Sequence, residues 1–445
     1  MNPGERSSLP RNVEAPRRWI LVSAHHCAPE MGSEHAVGWN YVKRLARVHD
    51  LLLITQDNEF RPAIEQALAG LDTAGHRVEP HFVRHGARSD GRKNNLRVFY
   101  YLTYILYQWR VLRLAQALCG RRDVRAIHHL TIVGFREPGF LWLLQKPFVW
   151  GPVGGLVFTP PGLFDLLSPK MRAFQVIRNL ITAAQFHCSL RVRLAFRKAT
   201  RNGRFIAATE DIGRRFTAAL GGDYVRIPET GAEPSASQLG LDRQAMERPL
   251  RLLWVGALID IKPMEPLLEA IASIEGHRAR IQLDVVGDGD SAERYRECAT
   301  RLRVNAVFHG WKPHAEVQRM YGGADLFVLF SLKDLTTNVV FEALGQGVPV
   351  LCLDHHGYSE IVDAGCGYKL PITGRDGVVL AAATVLRQAL AEPQQLESLR
   401  AGALARAREF SWDRNVAQVS AIYAELAGGG EPRPAAAGEP GGARP

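Results

Sequence analysis

Residues 331–350 read SLKDLTTNVVFEALGQGVPV and combine a polar loop, the start of a helix, a glycine stop and a buried strand. Asp334 lies in the loop, and Glu342 lies eight positions later, inside the predicted helix. The start of a helix exposes unpaired N–H groups and the positive end of a dipole, which suit a phosphate, whereas carboxylates suit the hydroxyls of a sugar. The stretch therefore predicts one site that holds a sugar together with its phosphate.

The residues before this helix are polar, and three of them supply N-cap chemistry: Thr336, Thr337 and Asn338. Gly345 and Gly347 end the helix, and residues 348–353 form a short apolar strand. The spacing of the two carboxylates carries little weight alone, because 45 of the 445 residues are acidic. An exposed loop acid and a solvated helix acid are the plain alternative, so the surrounding elements must decide.

Length and composition predict two domains, because 445 residues with 46% hydrophobic content exceed one ordinary core. The six cysteines include no CxxC pair and have no His-rich neighbourhood, which argues against a disulfide framework and a zinc site and favours a reducing cytoplasm. A net charge of +10 leaves nucleic acid, anionic lipid and phosphorylated substrates open. No nucleic-acid module is recognisable, so we expect no nucleic-acid partner.

The ends of the chain differ from its middle. Residues 1–17 are polar and lack the apolar core of a secretory signal, so we expect a flexible leader. Residues 428–445 are of low complexity, and we expect a disordered tail.

The most apolar helix candidate, residues 98–109, is far shorter than the roughly 20 residues that span a bilayer. Its aromatic residues between arginines are typical of an interfacial segment, although a core helix with solvated basic ends fits equally well.

Strands and helices alternate along the chain in two series. The segments are a first series at 18–230, a linker at 231–248, a second series at 249–410 and a closing helix at 411–427. Such alternation predicts an α/β fold with two Rossmann-like, doubly wound parallel sheets. Ligands bind outside the carboxyl ends of such strands, so we expect the site in a cleft between the two domains.

Further candidate residues follow predicted strands. Gly256 and Lys262 come after the first strand of the second domain, where the glycine allows a turn and the lysine can reach a phosphate. His128 and His129 end a strand of the first domain. A solvated lysine and purely structural histidines are the alternatives at these positions.

Two glycine turns complete the set of candidates. Gly32 and Ser33 precede the first helix and offer a cradle for a phosphate or an acceptor. Residues 286–292 read VGDGDSA, a GxGxxA pattern that a nicotinamide-dependent oxidoreductase would use for its dinucleotide. This pattern follows the second strand of its domain, whereas the pyrophosphate is expected after the first strand, so the oxidoreductase is the weaker alternative.

Taken together, these motifs resemble those of the retaining glycosyltransferases of family 4 (glycosyl transferases group 1), which have the GT-B fold. The resemblance covers roughly residues 18–427. The motifs that carry it are Ala324 to Val350 with Asp334 and Glu342, GALIDIK at 256–262, VGDG at 286–289, FHGW at 308–311 and FSW at 410–412. The resemblance implies two Rossmann-like domains that face each other across a cleft.

The resemblance also implies a role for each candidate residue. Glu342 would bind the ribose of the nucleotide, Asp334 would hold hydroxyls of the donor sugar, and Lys262 would hold the diphosphate. His128 matches the family's cleft histidine near the sugar, with His129 as its neighbour.

Gly32 matches the family's N-terminal glycine loop near the phosphates, but other positions depart from the family's pattern. Ala257 stands where the family has an arginine, and Pro263 stands where it has a glycine after the lysine. Losing a preorganised cation beside a developing phosphate charge can cost a few kcal/mol. Asp334 replaces the usual glutamate and shortens the reach by one methylene, which affects the choice of sugar.

The resemblance implies a retaining transfer from a nucleotide-diphosphate sugar to a hydroxyl of a glycan or lipid-linked acceptor, in the synthesis of cell-surface polysaccharides or glycoconjugates. We expect no metal and no further cofactor. We expect a cytoplasmic location, with peripheral attachment to the anionic surface of the inner face of the cytoplasmic membrane. A non-catalytic GT-B protein that binds a nucleotide sugar or a glycan is the alternative, favoured by Ala257 and Asp334.

Overall fold

The computed structural model describes residues 17–29, 31–85, 97–132, 134–235, 248–274, 276, 280–333, 335 and 337–428. The predicted leader and tail lie outside the described residues, apart from residues 17 and 428. Asp334, Thr336 and residues 236–247 of the predicted linker also lie outside them.

The first half of the chain forms a sheet of parallel strands in the order β3-β2-β1-β4-β5-β6-β7. The strands are β1 Arg18–Ala24, β2 Asp50–Asp57, β3 Val78–Arg84, β4 Asp123–Thr131, β5 Phe148–Val153, β6 Gly203–Ala207 and β7 Val225–Arg226. The intervening helices are α1 Ser33–Leu45, α2 Arg61–Ala69, α3 Arg97–Arg121, α4 Pro169–Cys188, α5 Leu190–Arg201 and α6 Glu210–Leu220. Helices cover both faces of this sheet, so its central strands β1 and β5 are buried along almost their whole length.

The second half forms another parallel sheet, in the order β10-β9-β8-β11-β12-β13. Its strands are β8 Leu250–Val255, β9 Ile281–Val286, β10 Ala306–Gly310, β11 Leu326–Leu329, β12 Val350–Leu353 and β13 Gly367–Leu370. Its helices are α7 Glu265–Ala272, α8 Ala292–Arg301, α9 His314–Gly323, α10 Asn338–Gly345, α11 His356–Ile361, α12 Arg375–Ala391 and α13 Pro393–Glu409. The predicted fold class is confirmed. The strand order reverses beside β1 and beside β8, which is where such sheets bind ligands.

The predicted aromatic helix at 98–109 is the first part of the longer α3. One face of α3 is in the core, where Tyr104 and Tyr107 are fully buried, whereas Leu106 and Trp109 on the other face are about half exposed. The helix is therefore buried on one face and exposes apolar side chains on the other. Among the described residues, no helix combines the length and apolar character needed to cross a membrane.

The last helix, α14 (Trp412–Ala427), returns to the first domain and packs on α1 and β4. The Trp412 ring meets the Tyr41 ring edge to face, with centroids 5.6 Å apart. An isolated β-bridge joins Ala232 to Ser411, so the two chain segments that connect the domains lie side by side. The first domain therefore includes residues from both ends of the sequence.

Candidate functional site

The loop after β8 holds Lys262 against exposed backbone. Gly256 has a φ of 149°, and the Lys262 Nζ lies 3.8 Å from the point where a Cβ on Gly256 would stand. The Tyr295 hydroxyl of α8 braces this loop, because it lies 3.1 Å from the Ile259 carbonyl oxygen and 3.0 Å from that of Lys262. The ammonium group is thus positioned at the carboxyl end of β8, where a phosphate would approach bare backbone.

The VGDG motif serves to pack this loop. A Cβ on Gly287, whose φ is 134°, would stand 2.0 Å from the Gly256 carbonyl oxygen. A Cβ on Gly289, whose φ is 157°, would stand 2.4 Å from the Leu258 carbonyl oxygen. Only glycine fits at either position. The close approach that these glycines permit is to protein backbone, which removes the need for a dinucleotide to explain the pattern.

The start of α10 differs from the predicted N-cap arrangement. Thr337 has extended backbone at the N-cap position, but its side chain makes no cap hydrogen bond. Its Oγ1 is buried without a partner in the described part of the chain. Asn338 Oδ1 instead accepts a hydrogen bond from the Thr230 hydroxyl of the connecting segment. The prediction that Thr337 and Asn338 cap the helix with their side chains is therefore wrong, because a tertiary contact takes Asn338.

Glu342 lies on α10 and faces α9. Its Oε2 accepts a hydrogen bond of 3.3 Å from the Tyr321 hydroxyl, and its Oε1 lies 3.9 Å from His314 Nε2. Burial raises the pKa of Glu342, whereas His314 and the Tyr321 hydrogen bond act in the opposite direction. About a quarter of the side chain remains exposed. The carboxyl group is thus held in a fixed orientation and can still accept hydroxyl groups from a ligand.

The loop between β11 and α10 lies against several elements at once. Leu332 N donates to Ile261 O at 2.9 Å, which joins this loop to the loop of Lys262. Gly357 N donates to Leu335 O at 3.0 Å, and the Leu335 side chain packs on the core of the first domain. Lys333, which the sequence reasoning did not consider, comes one residue after the first of these contacts. The structure therefore brings together the Lys262 loop, the residues on either side of Asp334 and the start of α10.

His128 does not face the cleft. It is fully buried, its Nε2 donates to Gly151 O at 2.6 Å, and its Nδ1 accepts from the Tyr423 hydroxyl of α14. Burial lowers the pKa of His128 to about 4, so the ring is neutral. Both nitrogens are occupied in the core, and the predicted catalytic role of His128 is corrected to a structural one.

His129 points to the other face of β4 and is also buried, with 1% of its surface exposed. Its Nε2 donates to Glu137 O at 3.0 Å, and its Nδ1 has no partner among the described residues. Burial lowers the pKa of His129 to about 4. Successive side chains of a strand alternate between its faces, which explains why two adjacent histidines have different environments.

His25, at the carboxyl end of β1, was missed by the sequence reasoning. It is 2% exposed, and neither ring nitrogen has a partner in the part of the chain that the structure describes. Burial, followed by the neighbouring His26, His85 and His129, lowers its pKa well below the ordinary value. The signal that singled out His128 and His129, a histidine pair at a strand end, is also present in His25 and His26.

The loop after β1 is anchored to α1 and to the end of β4. His26 Nδ1 lies 2.7 Å from Glu34 Oε2, and its backbone N donates to Thr131 Oγ1 at 3.1 Å. Gly32 is exposed and precedes α1, which begins at Ser33. The predicted Gly32–Ser33 turn therefore lies near the end of β1, on the same edge of the sheet as His129.

The described residues contain no group of three or more His, Cys, Asp or Glu side chains arranged to hold a metal ion. The expectation of a reaction without metal or cofactor stays a prediction.

The two facing parallel sheets, with glycine loops and polar side chains at their carboxyl ends, are the architecture of GT-B proteins. A solved structure of Anabaena HepE in complex with UDP has this architecture and matches with a TM-score of 0.58 and 17% sequence identity, over 92% of this chain and 100% of that one. At this level of identity the likeness shows the fold alone.

Sequence comparison relates the second domain to one family. Residues 249–392 match the family model described as Glycosyl transferases group 1. The chain is 26% identical over 149 residues to an amylovoran biosynthesis glycosyltransferase of Erwinia amylovora, covering 32% of this chain and 36% of that protein. It is 28% identical over 231 residues to phosphatidyl-myo-inositol mannosyltransferase of Mycobacterium tuberculosis, covering 50% of this chain and 60% of that protein. Less than two thirds of either relative's length is matched.

The burial of Glu342 predicts a stability effect with a definite sign. Because its pKa is raised in the folded protein, ionised Glu342 destabilises the fold, and this cost appears as the pH rises through the raised pKa. We expect Glu342→Gln to raise the free energy of unfolding at pH 7 by up to about 1 kcal/mol. The gain should vanish below about pH 4, where the carboxyl is protonated in both states.

Urea denaturation at the two pH values measures this effect, with the exposed Glu293→Gln as the matched control. A loss of stability in Glu342→Gln at pH 7 that exceeds the loss in Glu293→Gln would contradict the account.

Proposed function

We propose that this protein is a retaining glycosyltransferase of family 4. It transfers a sugar from a nucleotide-diphosphate sugar to a hydroxyl of a glycan or lipid-linked acceptor, in polysaccharide or glycolipid synthesis. The observation that carries the proposal is the backbone contact of Leu332 with Ile261, which joins the lysine loop after β8 to the loop that leads into α10. The family match of residues 249–392 supports it.

The donor would bind along the carboxyl ends of β8 and β11. Lys262 and the first N–H groups of α10 neutralise the diphosphate, since its charge grows as the bond to the sugar breaks. Glu342 accepts the ribose hydroxyls, and Asp334 holds hydroxyls of the sugar. The solved HepE structure is a complex with UDP, which supports a nucleotide donor.

The family's second cation, absent at position 257, needs a substitute. We assign this role to Lys333, because its backbone follows the contact between Leu332 and Ile261. A second positive charge on the same loop edge would stabilise the leaving diphosphate in place of the missing arginine.

The acceptor would enter from the first domain, with His129 beside the reacting sugar. Its neutral ring offers Nδ1 as an acceptor for a sugar or acceptor hydroxyl. The departing phosphate takes the proton of the attacking hydroxyl, so the configuration at the anomeric carbon is retained.

We also propose a cytoplasmic location with peripheral attachment to an anionic membrane, supported by the basic side chains of α4 and α5. Sedimentation with anionic vesicles at low salt tests this part. Equal recovery in the supernatant with and without vesicles would contradict it.

A donor-hydrolysis assay over a panel of UDP, GDP and ADP sugars tests the function. We expect one donor to be cleaved, and NMR of the first product, before mutarotation, to show the anomeric configuration of the donor. Binding of a donor with no cleavage and no transfer would favour the non-catalytic alternative, and an inverted product would refute the retaining assignment.

The two neighbouring histidines give a matched pair of variants. His129→Ala should lower turnover by roughly 10-fold, as expected for the loss of one hydrogen bond of about 1 kcal/mol to the reacting sugar or the acceptor. His128→Ala should instead lower stability by about 1–3 kcal/mol, because it leaves the Tyr423 hydroxyl and Gly151 O unpaired in the core. Initial rates corrected for the folded fraction, together with thermal unfolding, separate the two effects. A larger loss of turnover in His128→Ala than in His129→Ala would reverse the assignment.

A further inference from the structure

A cavity of about 710 Å³ lies between the two domains, beside the proposed donor site. The first domain contributes the loop after β5, α4 and the start of α6, and the second domain contributes the start of α11. His355 Nε2 donates to Ser331 O at 2.5 Å, so the start of α11 is bonded to the first residue of the 331–350 stretch. The size of the cavity is that of a small-molecule site, and none of the donor contacts proposed above uses it.

The side of the cavity formed by the first domain is apolar. Phe158 and Phe164 line it from the loop after β5, and Val176 and Leu180 line it from α4. Leu180 is nevertheless 67% exposed, so the apolar side opens to solvent along the helix. Beyond the opening the apolar surface continues on α4 through three half-exposed side chains: Phe174, Ile177 and Ile181. A contiguous exposed apolar surface that runs into a cavity indicates an apolar ligand group.

The side formed by α11 is polar and has an unused hydrogen-bonding atom. His356 has a φ of 50°, a conformation that bulky residues rarely adopt, and such strain gathers at functional sites. Its Nε2 is buried and has no partner among the described residues. Burial lowers the pKa of His356 to about 3, so this ring is neutral.

The charges around the cavity are paired within the protein. Arg215 Nε donates to Asp211 Oδ2 at 2.9 Å, and the guanidinium lies 5.0 Å from the centre of the Phe158 ring. Glu360 accepts a hydrogen bond of 2.7 Å from the backbone N of Glu210, and burial raises the pKa of Glu360. Paired charges and a neutral imidazole favour uncharged hydroxyl groups over a phosphate, because a phosphate needs a cation that is not already paired.

From these observations we propose that the cavity binds the acceptor, and that the acceptor is a neutral sugar attached to an apolar group. The sugar lies against His356 and Glu360, beside the donor loop, and the apolar group leaves along α4 past Leu180. This inference rests on the proposed function and deepens it, since it selects an amphiphilic acceptor over a free glycan.

Binding of simple amphiphiles, measured by calorimetry without any donor, tests the inference. The probes are n-octyl β-glucoside below its micelle concentration, glucose, octyl phosphate and inorganic phosphate. We expect the octyl glucoside to bind at least roughly tenfold more tightly than glucose, because burial of its alkyl chain adds favourable transfer energy. It should also bind more tightly than octyl phosphate. Equal affinity for glucose and octyl glucoside, or preference for octyl phosphate, would overturn the proposal.

Two adjacent alanines on α4 provide a matched pair of variants. Ala183 lines the cavity, whereas Ala184 is exposed and does not. Ala183→Trp should weaken octyl glucoside binding by roughly tenfold or more, because the indole occupies the apolar part of the cavity. Ala184→Trp should leave the affinity unchanged. Equal affinities in the two variants would refute the site.

A third variant examines the polar side. His356→Gly should weaken the binding of octyl glucoside and bring its affinity closer to that of octyl phosphate. An unchanged preference between the two probes would contradict the assigned sugar contact. UDP binding is measured in parallel on every variant. If UDP fails to bind the parent protein, the proposed function is refuted. If UDP binds but the affinity for octyl glucoside does not depend on residue 183, only the proposed acceptor site is refuted.

Discussion

The loop that follows β11 is the constraint on which the rest of the site depends. Its backbone is bonded to the Lys262 loop through Ile261 and to α11 through Gly357, and its Leu335 side chain packs on the first domain. These contacts fix the relative positions of three features: the residues on either side of Asp334, the start of α10 and the wall of the interdomain cavity. Because all of these elements follow carboxyl ends of parallel strands, a single loop connects the proposed donor and acceptor sites.

The fold could be predicted because its sequence signals are local and repeated. Apolar runs such as residues 51–54 are too short for helices. They also lack the apolar–polar alternation of a strand with one solvent-exposed face, so they indicate strands buried on both faces, and they alternate along the chain with amphipathic segments. The family-like motifs of the second domain were informative for the same reason. Gly256, Gly287 and Gly289 are required by close backbone contacts in the loops where the sequence places them.

The parts of the site that the sequence could not predict depend on contacts distant along the chain. His128 lies at a strand end, but α14, almost 300 positions later, covers its face of the sheet and supplies Tyr423. Asn338 reads as a helix cap, yet Thr230 of the connecting segment takes its side chain. No local pattern reports which distant element covers each face of a strand, and both faces of this sheet are covered, since His128 is 0% and His129 is 1% exposed. The cavity likewise exists only once both domains are in place.

Calorimetric titration of UDP tests the central claim most directly, namely that the lysine loop after β8 and the 331–350 stretch form one nucleotide-diphosphate site. The account predicts that UDP binds the parent protein and the control variant Lys170→Ala, which replaces an exposed lysine, with equal affinity. UDP should bind Lys262→Ala roughly 10- to 100-fold more weakly, as expected for the loss of one charge-assisted contact. Equal UDP affinity in Lys262→Ala and Lys170→Ala would contradict it.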